Sequence, residues 1–90
     1  MSDKAAPPAQ QRLRVKVFSP YQTFFEGTAV SLSAANDTGP FDVLYGHSNF
    51  FCLLNAGRVS IDTGFNPVLV DIEGGLLRVR DNMVTLFANV

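Results

Sequence analysis

The sequence predicts an all-β domain, a two-sheet sandwich or a flattened barrel, and three observations carry that prediction. Apolar and polar residues alternate over short runs, turn-forming residues return about every eight to ten positions, and no stretch sustains the spacing of an amphipathic helix. About nine short strands separated by turns make the pattern of such folds. The chain contains no internal repeat.

Over residues 12–18, Leu13, Val15 and Val17 alternate with Arg14 and Lys16, the period of a half-buried strand, and Ser19-Pro20 end it. Phe24, Phe25 and Glu26 read as a short second strand closed by a turn at Gly27, after which Val30, Leu32 and Ala34 alternate with Ser31 and Ser33. Asn36, Asp37, Thr38, Gly39 and Pro40 form a loop, because each tolerates unusual backbone angles or competes for backbone hydrogen bonds, and the chain reverses there. Phe41 and Val43 lead into a tight corner at Tyr45-Gly46-His47. The uninterrupted apolar run at residues 50–54 suits a strand buried on both faces. Gly57 introduces Val59 and Ile61, residues 64–67 turn, Val68, Val70 and Ile72 alternate with Leu69 and Asp71, and Gly74-Gly75 turn again. The last pair is the clearest hairpin: Leu77 and Val79 alternate with Arg78 and Arg80 up to Asp81-Asn82, and Val84, Leu86 and Ala88 follow.

Ninety residues make one domain with one core. The charged fraction of 17% lies below the roughly 25% of an average soluble domain, so part of the surface is left apolar and contiguous, as at a partner interface. Adjacent strand residues point to opposite faces, so Phe24-Phe25 and Phe50-Phe51 should each send one ring inward and one outward. A net charge of −1, with basic residues spread along the chain, offers no footprint for a nucleic-acid backbone. Cys52 is the only cysteine, which excludes an intrachain disulfide and a thiolate metal cluster and fits a reducing cytosol. Residues 1–11 read as a flexible lead-in without the apolar stretch of a secretory signal, and residues 12–90 as the β domain. No segment approaches the roughly 20 apolar residues of a spanning helix, so direct membrane insertion is not expected.

Few residues offer chemistry. His47 and Asp42 could form an acid and base pair or half a metal site, yet nothing completes either constellation, and a corner or interface histidine is the better reading. Phe51 and Leu53 surround Cys52 with an apolar setting that disfavours a thiolate, which makes it an inert, buried or interface cysteine. Gly74-Gly75 is followed by a strand pattern instead of the helix that would hold a phosphate, so a hairpin turn is expected. Neither a cofactor nor a metal or nucleotide site is expected.

Five pieces in register resemble a known family. An alternating strand ending in Ser19-Pro20, then Phe25-Glu26-Gly27, Leu44-Tyr45-Gly46-His47, an apolar strand with Gly57 beyond it, and Gly74-Gly75-Leu76-Leu77 leading to Val84-Thr85-Leu86-Phe87-Ala88 are similar to the β domain of the F-type ATP synthase epsilon subunit. The likeness covers residues 12–90. Tyr45 stands where the family usually has proline, Asp42 where a glycine is common, and Pro40 where an acidic residue is frequent.

The resemblance implies a sandwich of about ten strands in a non-catalytic stalk subunit, which transmits rotation between the catalytic head and the membrane rotor ring during proton-driven ATP synthesis. Carried over by position, Ser19, His47, Phe50 and Cys52 would face the gamma subunit, and Pro40, Phe41 and Asp42 the rotor ring. It also implies a peripheral place at the cytoplasmic face of the bacterial inner membrane. The family's C-terminal helical hairpin has no counterpart up to Val90, so neither its inhibition nor its ATP binding is expected of this chain. An isolated domain with an uncovered patch is expected to self-associate weakly. The competing reading is a free-standing β-sandwich binding a small ligand or another protein. The absence of tryptophan and the few polar residues beside the phenylalanines weigh against a sugar platform. An enzyme built on His47 and Asp42 comes last.

Overall fold

The computed structural model describes residues 11–89. The proposed lead-in therefore lies outside the described residues except for Gln11, as does Val90. Nine strands are formed among the described residues, the number given by the turn punctuation and one fewer than the resemblance implied: β1 (Leu13–Phe18), β2 (Thr23–Ala29), β3 (Ser31–Asn36), β4 (Gly39–Leu44), β5 (Phe50–Leu54), β6 (Gly57–Asp62), β7 (Val68–Ile72), β8 (Gly74–Arg80) and β9 (Met83–Asn89).

The strands form two sheets, in the orders β2-β1-β9-β8-β5 and β4-β3-β6-β7. All pairings are antiparallel except that of β1 with β9, which joins the first and last strands in parallel. The core lies between the sheets and is built from one side of each strand. Val15, Val17, Leu77, Val79, Val84 and Leu86 supply much of the five-stranded layer, and Leu32, Val43, Val59 and Ile61 face them from the other. Alternation legible in the sequence thus becomes two inner faces of branched apolar side chains, the packing that holds an aligned sandwich.

Short links carry the chain between the layers. Val30 alone separates β2 from β3, its N–H bonded to the Asp62 carbonyl at 2.7 Å, and Glu73 alone separates β7 from β8, its N–H donated to the Asn89 carbonyl at 2.6 Å. Two expected turns are consequently not turns. Gly27 sits within β2 opposite Val15, and Gly74 and Gly75 begin β8 opposite Asn89 and Ala88. The reason at Gly75 is close approach: a Cβ there would stand 2.9 Å from the Phe87 carbonyl oxygen. The expected loop at residues 36–40 is a tight hairpin. Asn36 pairs with Gly39, Pro40 belongs to β4, and Asn36 Oδ1 accepts from the Thr38 N–H and hydroxyl at 2.9 and 2.7 Å.

The final hairpin forms as read, with Asp81 and Asn82 at φ 51° and 64°. Two successive positive φ values are those of a type I′ turn, whose twist suits the flanking strands. Asn82 Oδ1 also accepts the Gly46 N–H at 2.7 Å, and Asn49 Oδ1 accepts the Asp81 N–H at 2.9 Å, so the turn is tied to the corner between β4 and β5.

Candidate docking surfaces

The corner positions most of the residues singled out in the sequence. β4 and β5 are edge strands of opposite sheets. Phe41 of β4 and Phe50 of β5 turn toward the interior and meet edge-on with ring centroids 6.1 Å apart. His47 lies against the same Phe50 ring at 4.9 Å, its N–H bonded to the Leu44 carbonyl and its Nδ1 3.0 Å from the Ser48 carbonyl oxygen. Cys52 follows two positions along β5 on the inward side, opposite Leu77, and is half-buried. His47, Phe50, Cys52 and Phe41 therefore form one aromatic edge, although the resemblance divides them between two partners.

The remaining expected contacts lie elsewhere. Ser19 is only 8% exposed and sits just past the end of β1, which β9 and β8 separate from β5. It closes the β1–β2 hairpin, its N–H donated to the Gln22 carbonyl at 2.8 Å and its Oγ accepting from the Tyr21 N–H. Pro40 and Asp42 point away from Phe41, onto the outer face of the four-stranded sheet, where Asp42 accepts the Ser33 hydroxyl at 2.7 Å. The hydrogen bonds of His47 and Asp42 thus run to different neighbours, and no catalytic pair is assembled. Among the described residues no group of three or more His, Cys, Asp or Glu side chains is placed to hold a metal ion.

The doubled phenylalanines part company. Phe50 is half-buried and Phe51 is 72% exposed, as alternation requires, and Leu53 beyond it is 74% exposed. β5 is thus open on one face, not buried on both, because neither a strand nor a loop among the described residues covers the outer side of the five-stranded sheet there. Phe24 and Phe25 are both half-buried and packed on the core. A bulge explains the departure: Val17 pairs with Phe25 and Phe18 with Thr23, leaving Phe24 as the extra residue that breaks the two-residue period.

Sequence reasoning missed a second surface, the outer face of the five-stranded sheet. Phe18, Phe87, Leu76 and Leu53 stand in register across β1, β9, β8 and β5. Phe18 and Phe87 meet at 5.3 Å, and the Lys16 ammonium lies 5.1 Å from the Phe18 ring centroid. The outward phase of each strand was legible, but bringing β1 beside β9 required a parallel pairing between segments some 70 positions apart, for which no local signal exists.

The fold defines the class: a two-layer β-sandwich with exposed apolar and aromatic surface at one edge and on one face. The ATP synthase, Delta/Epsilon chain, beta-sandwich domain matches residues 12–90, and the chain belongs to that family. Among curated relatives, the ATP synthase epsilon chain of Helicobacter pylori is 34% identical over 77 residues, covering 86% of this chain and 63% of the relative. That of Francisella tularensis subsp. holarctica is 30% identical over 77 residues, covering 86% of this chain and 53% of the relative. The chain thus spans about half to two-thirds of the length of the curated relatives it matches. Among solved structures, a chain of the Euglena gracilis mitochondrial ATP synthase superposes with a TM-score of 0.80 at 19% identity, over 98% of this chain and 55% of its own. One from the central stalk and c-ring of the Tetrahymena thermophila mitochondrial ATP synthase gives 0.78 at 15% identity, over 89% of this chain and 65% of its own.

Proposed function

We propose that this chain is a non-catalytic rotor subunit of an F-type ATP synthase, placed in the central stalk at the cytoplasmic face of the bacterial inner membrane. There it couples the catalytic head to the membrane rotor ring during proton-driven ATP synthesis. The observation that carries this reading is the match of the epsilon β-sandwich over residues 12–90. The physical properties suit the role. A body that transmits torque has to resist shear, and two hydrogen-bonded layers closed over a close-packed core do so. It also needs durable contacts, and an edge of aromatic rings with an exposed corner histidine supplies a surface of the kind found at interface centres. In this reading the gamma subunit takes the edge at His47, Phe50 and Cys52 and also meets Ser19, three strands away just past the end of β1. The rotor ring takes β4 at Pro40 and Asp42 on its outer face, with Phe41 between them in the strand but turned toward Phe50. Without a turnover step of its own, the chain requires no cofactor.

Copurification with the gamma subunit from the same genome tests the reading. The native chain should bind, and His47→Ala, at an exposed position, should weaken binding by about tenfold, the loss of one moderate interface contact. Phe50→Asp should abolish it, with circular dichroism reporting whether the fold survives the change. A folded native chain that fails to bind gamma at micromolar concentration would overturn the assignment.

A further inference from the structure

The outer face of the five-stranded sheet carries a charge arrangement that the stalk reading does not use. β9 runs down its middle and presents Met83, Thr85 and Phe87 outward. On the β1 side, Arg14 stands opposite Met83 and Lys16 opposite Thr85. On the β8 side, Arg80 and Arg78 occupy the same two rows. An apolar seam is thus walled by two pairs of cations. Strand spacing puts the walls about 10 Å apart, and strand rise separates the two cations of each wall by about 7 Å.

All four side chains are exposed, and among the described residues no ion pair involves Arg14, Lys16 or Arg78. Two carboxylates border the group: Glu26 pairs across from Lys16, and Asp81 lies 4.0 Å from Arg80. The patch keeps a net charge of +2 (four cations less two carboxylates) on a chain whose net charge is −1. Shallow grooves flank the seam, one lined by Arg78, Arg80, Met83 and Thr85 and the other by Arg14, Lys16, Met83 and Thr85.

We propose that this face docks an acidic amphipathic helix of a partner protein, laid along β9 with its apolar stripe on Met83 and Phe87 and its carboxylates against the two cationic walls. Side chains four residues apart on a helix lie about 6 Å apart, close to the spacing of the cations within each wall. Three of the four cations are arginines, whose planar forks match carboxylates in two-point contact. A phosphate polymer is disfavoured, because four half-compensated cations make a short track and the row Phe18, Phe87, Leu76 and Leu53 continues beyond it. A helix with one apolar and one acidic side satisfies both parts at once. The inference does not depend on the stalk assignment.

Fluorescence anisotropy with a labelled amphipathic Glu/Leu peptide of about five helical turns tests it on the whole chain. Binding is expected, weakening with salt, and Arg14→Glu with Arg78→Glu should reduce it by at least about tenfold. The single change Lys16→Glu serves as a second variant should the double one lose its fold. A Lys/Leu peptide of the same pattern should not bind. Equal binding of the acidic peptide by the reversed variants would overturn the proposal. So would failure of that peptide to bind while phosphatidylglycerol vesicles or a single-stranded oligonucleotide bind.

Discussion

The outer faces of the two sheets differ as sharply as their inner faces agree. Inside, both layers present buried Val, Leu and Ile. Outside, the five-stranded sheet carries Arg14, Lys16, Arg78 and Arg80 around large apolar side chains. The four-stranded sheet carries Ser31, Ser33, Ala35 and Ser60, with Asp42, Asp62 and the Arg58–Asp71 pair. The four-stranded outer face sets two exposed leucines, Leu44 and Leu69, among small polar residues, and its hydrogen-bonded carboxylates find partners within it: Asp42 is held by Ser33, and Asp71 by Arg58 at 2.7 Å. On the five-stranded face Phe18 meets Phe87, Lys16 lies over Phe18 and Arg80 near Asp81, while no ion pair among the described residues involves Arg14 or Arg78. The core thus imposes the same inward pattern on both layers and leaves their outer faces free to differ in charge.

The largest effect should come from breaking what the two faces share. Leu86 is fully buried in the middle of β9, and Leu86→Ala should cost about 2–5 kcal/mol, lowering the urea midpoint with both faces lost together. Gly75→Ala should act on one face only. Its Cβ would meet the Phe87 carbonyl oxygen at 2.9 Å, so β8 and β9 must separate, and a loss of about 1–3 kcal/mol is expected in thermal unfolding. If the cationic seam is a docking surface, this variant should also bind the acidic peptide less well below its melting temperature, whereas a change of equal cost within the four-stranded sheet should not.

The smallest effect belongs to the outer face of the four-stranded sheet. The Arg58 side-chain hydrogen bond, aided by its charge, holds the Asp71 carboxyl below the usual carboxylate range. A lowered folded pKa contributes stability that is complete above the unfolded value and is lost as pH falls through the folded one. Both partners are fully exposed, so the contribution is slight. Asp71→Asn should change the melting temperature little at neutral pH. The two curves should converge as acid protonates Asp71, and added salt should narrow the neutral gap. A large, salt-independent loss would show that this face is less self-contained than its hydrogen bonds indicate.

How much could be read beforehand follows the range of the interaction. The β8–β9 hairpin was legible because Asp81 and Asn82 carry their own tolerance of positive φ. Gly74-Gly75 was misread because a glycine needed for turning and one needed for close backbone approach look alike in sequence, and only the position of Phe87 separates them. The bulge at Phe24 was hidden for a related reason, since the extra residue is defined by its partner strand. At the candidate site, His47 and Phe50, grouped by the resemblance, lie in contact with ring centroids 4.9 Å apart. Ser19 was grouped with them by resemblance, yet it lies three strands from β5 and faces its own hairpin.

The sequence by itself determined the all-β class, the inward phase of most strands and the final turn, because two-residue alternation and turn chemistry act over a few neighbouring residues. Tertiary structure alone decided the sheet order, the parallel closure of β1 on β9, and hence which outward residues became neighbours. Strand pairing is set by backbone hydrogen bonds that any side chain permits, and its choice rests on the packing of the whole core.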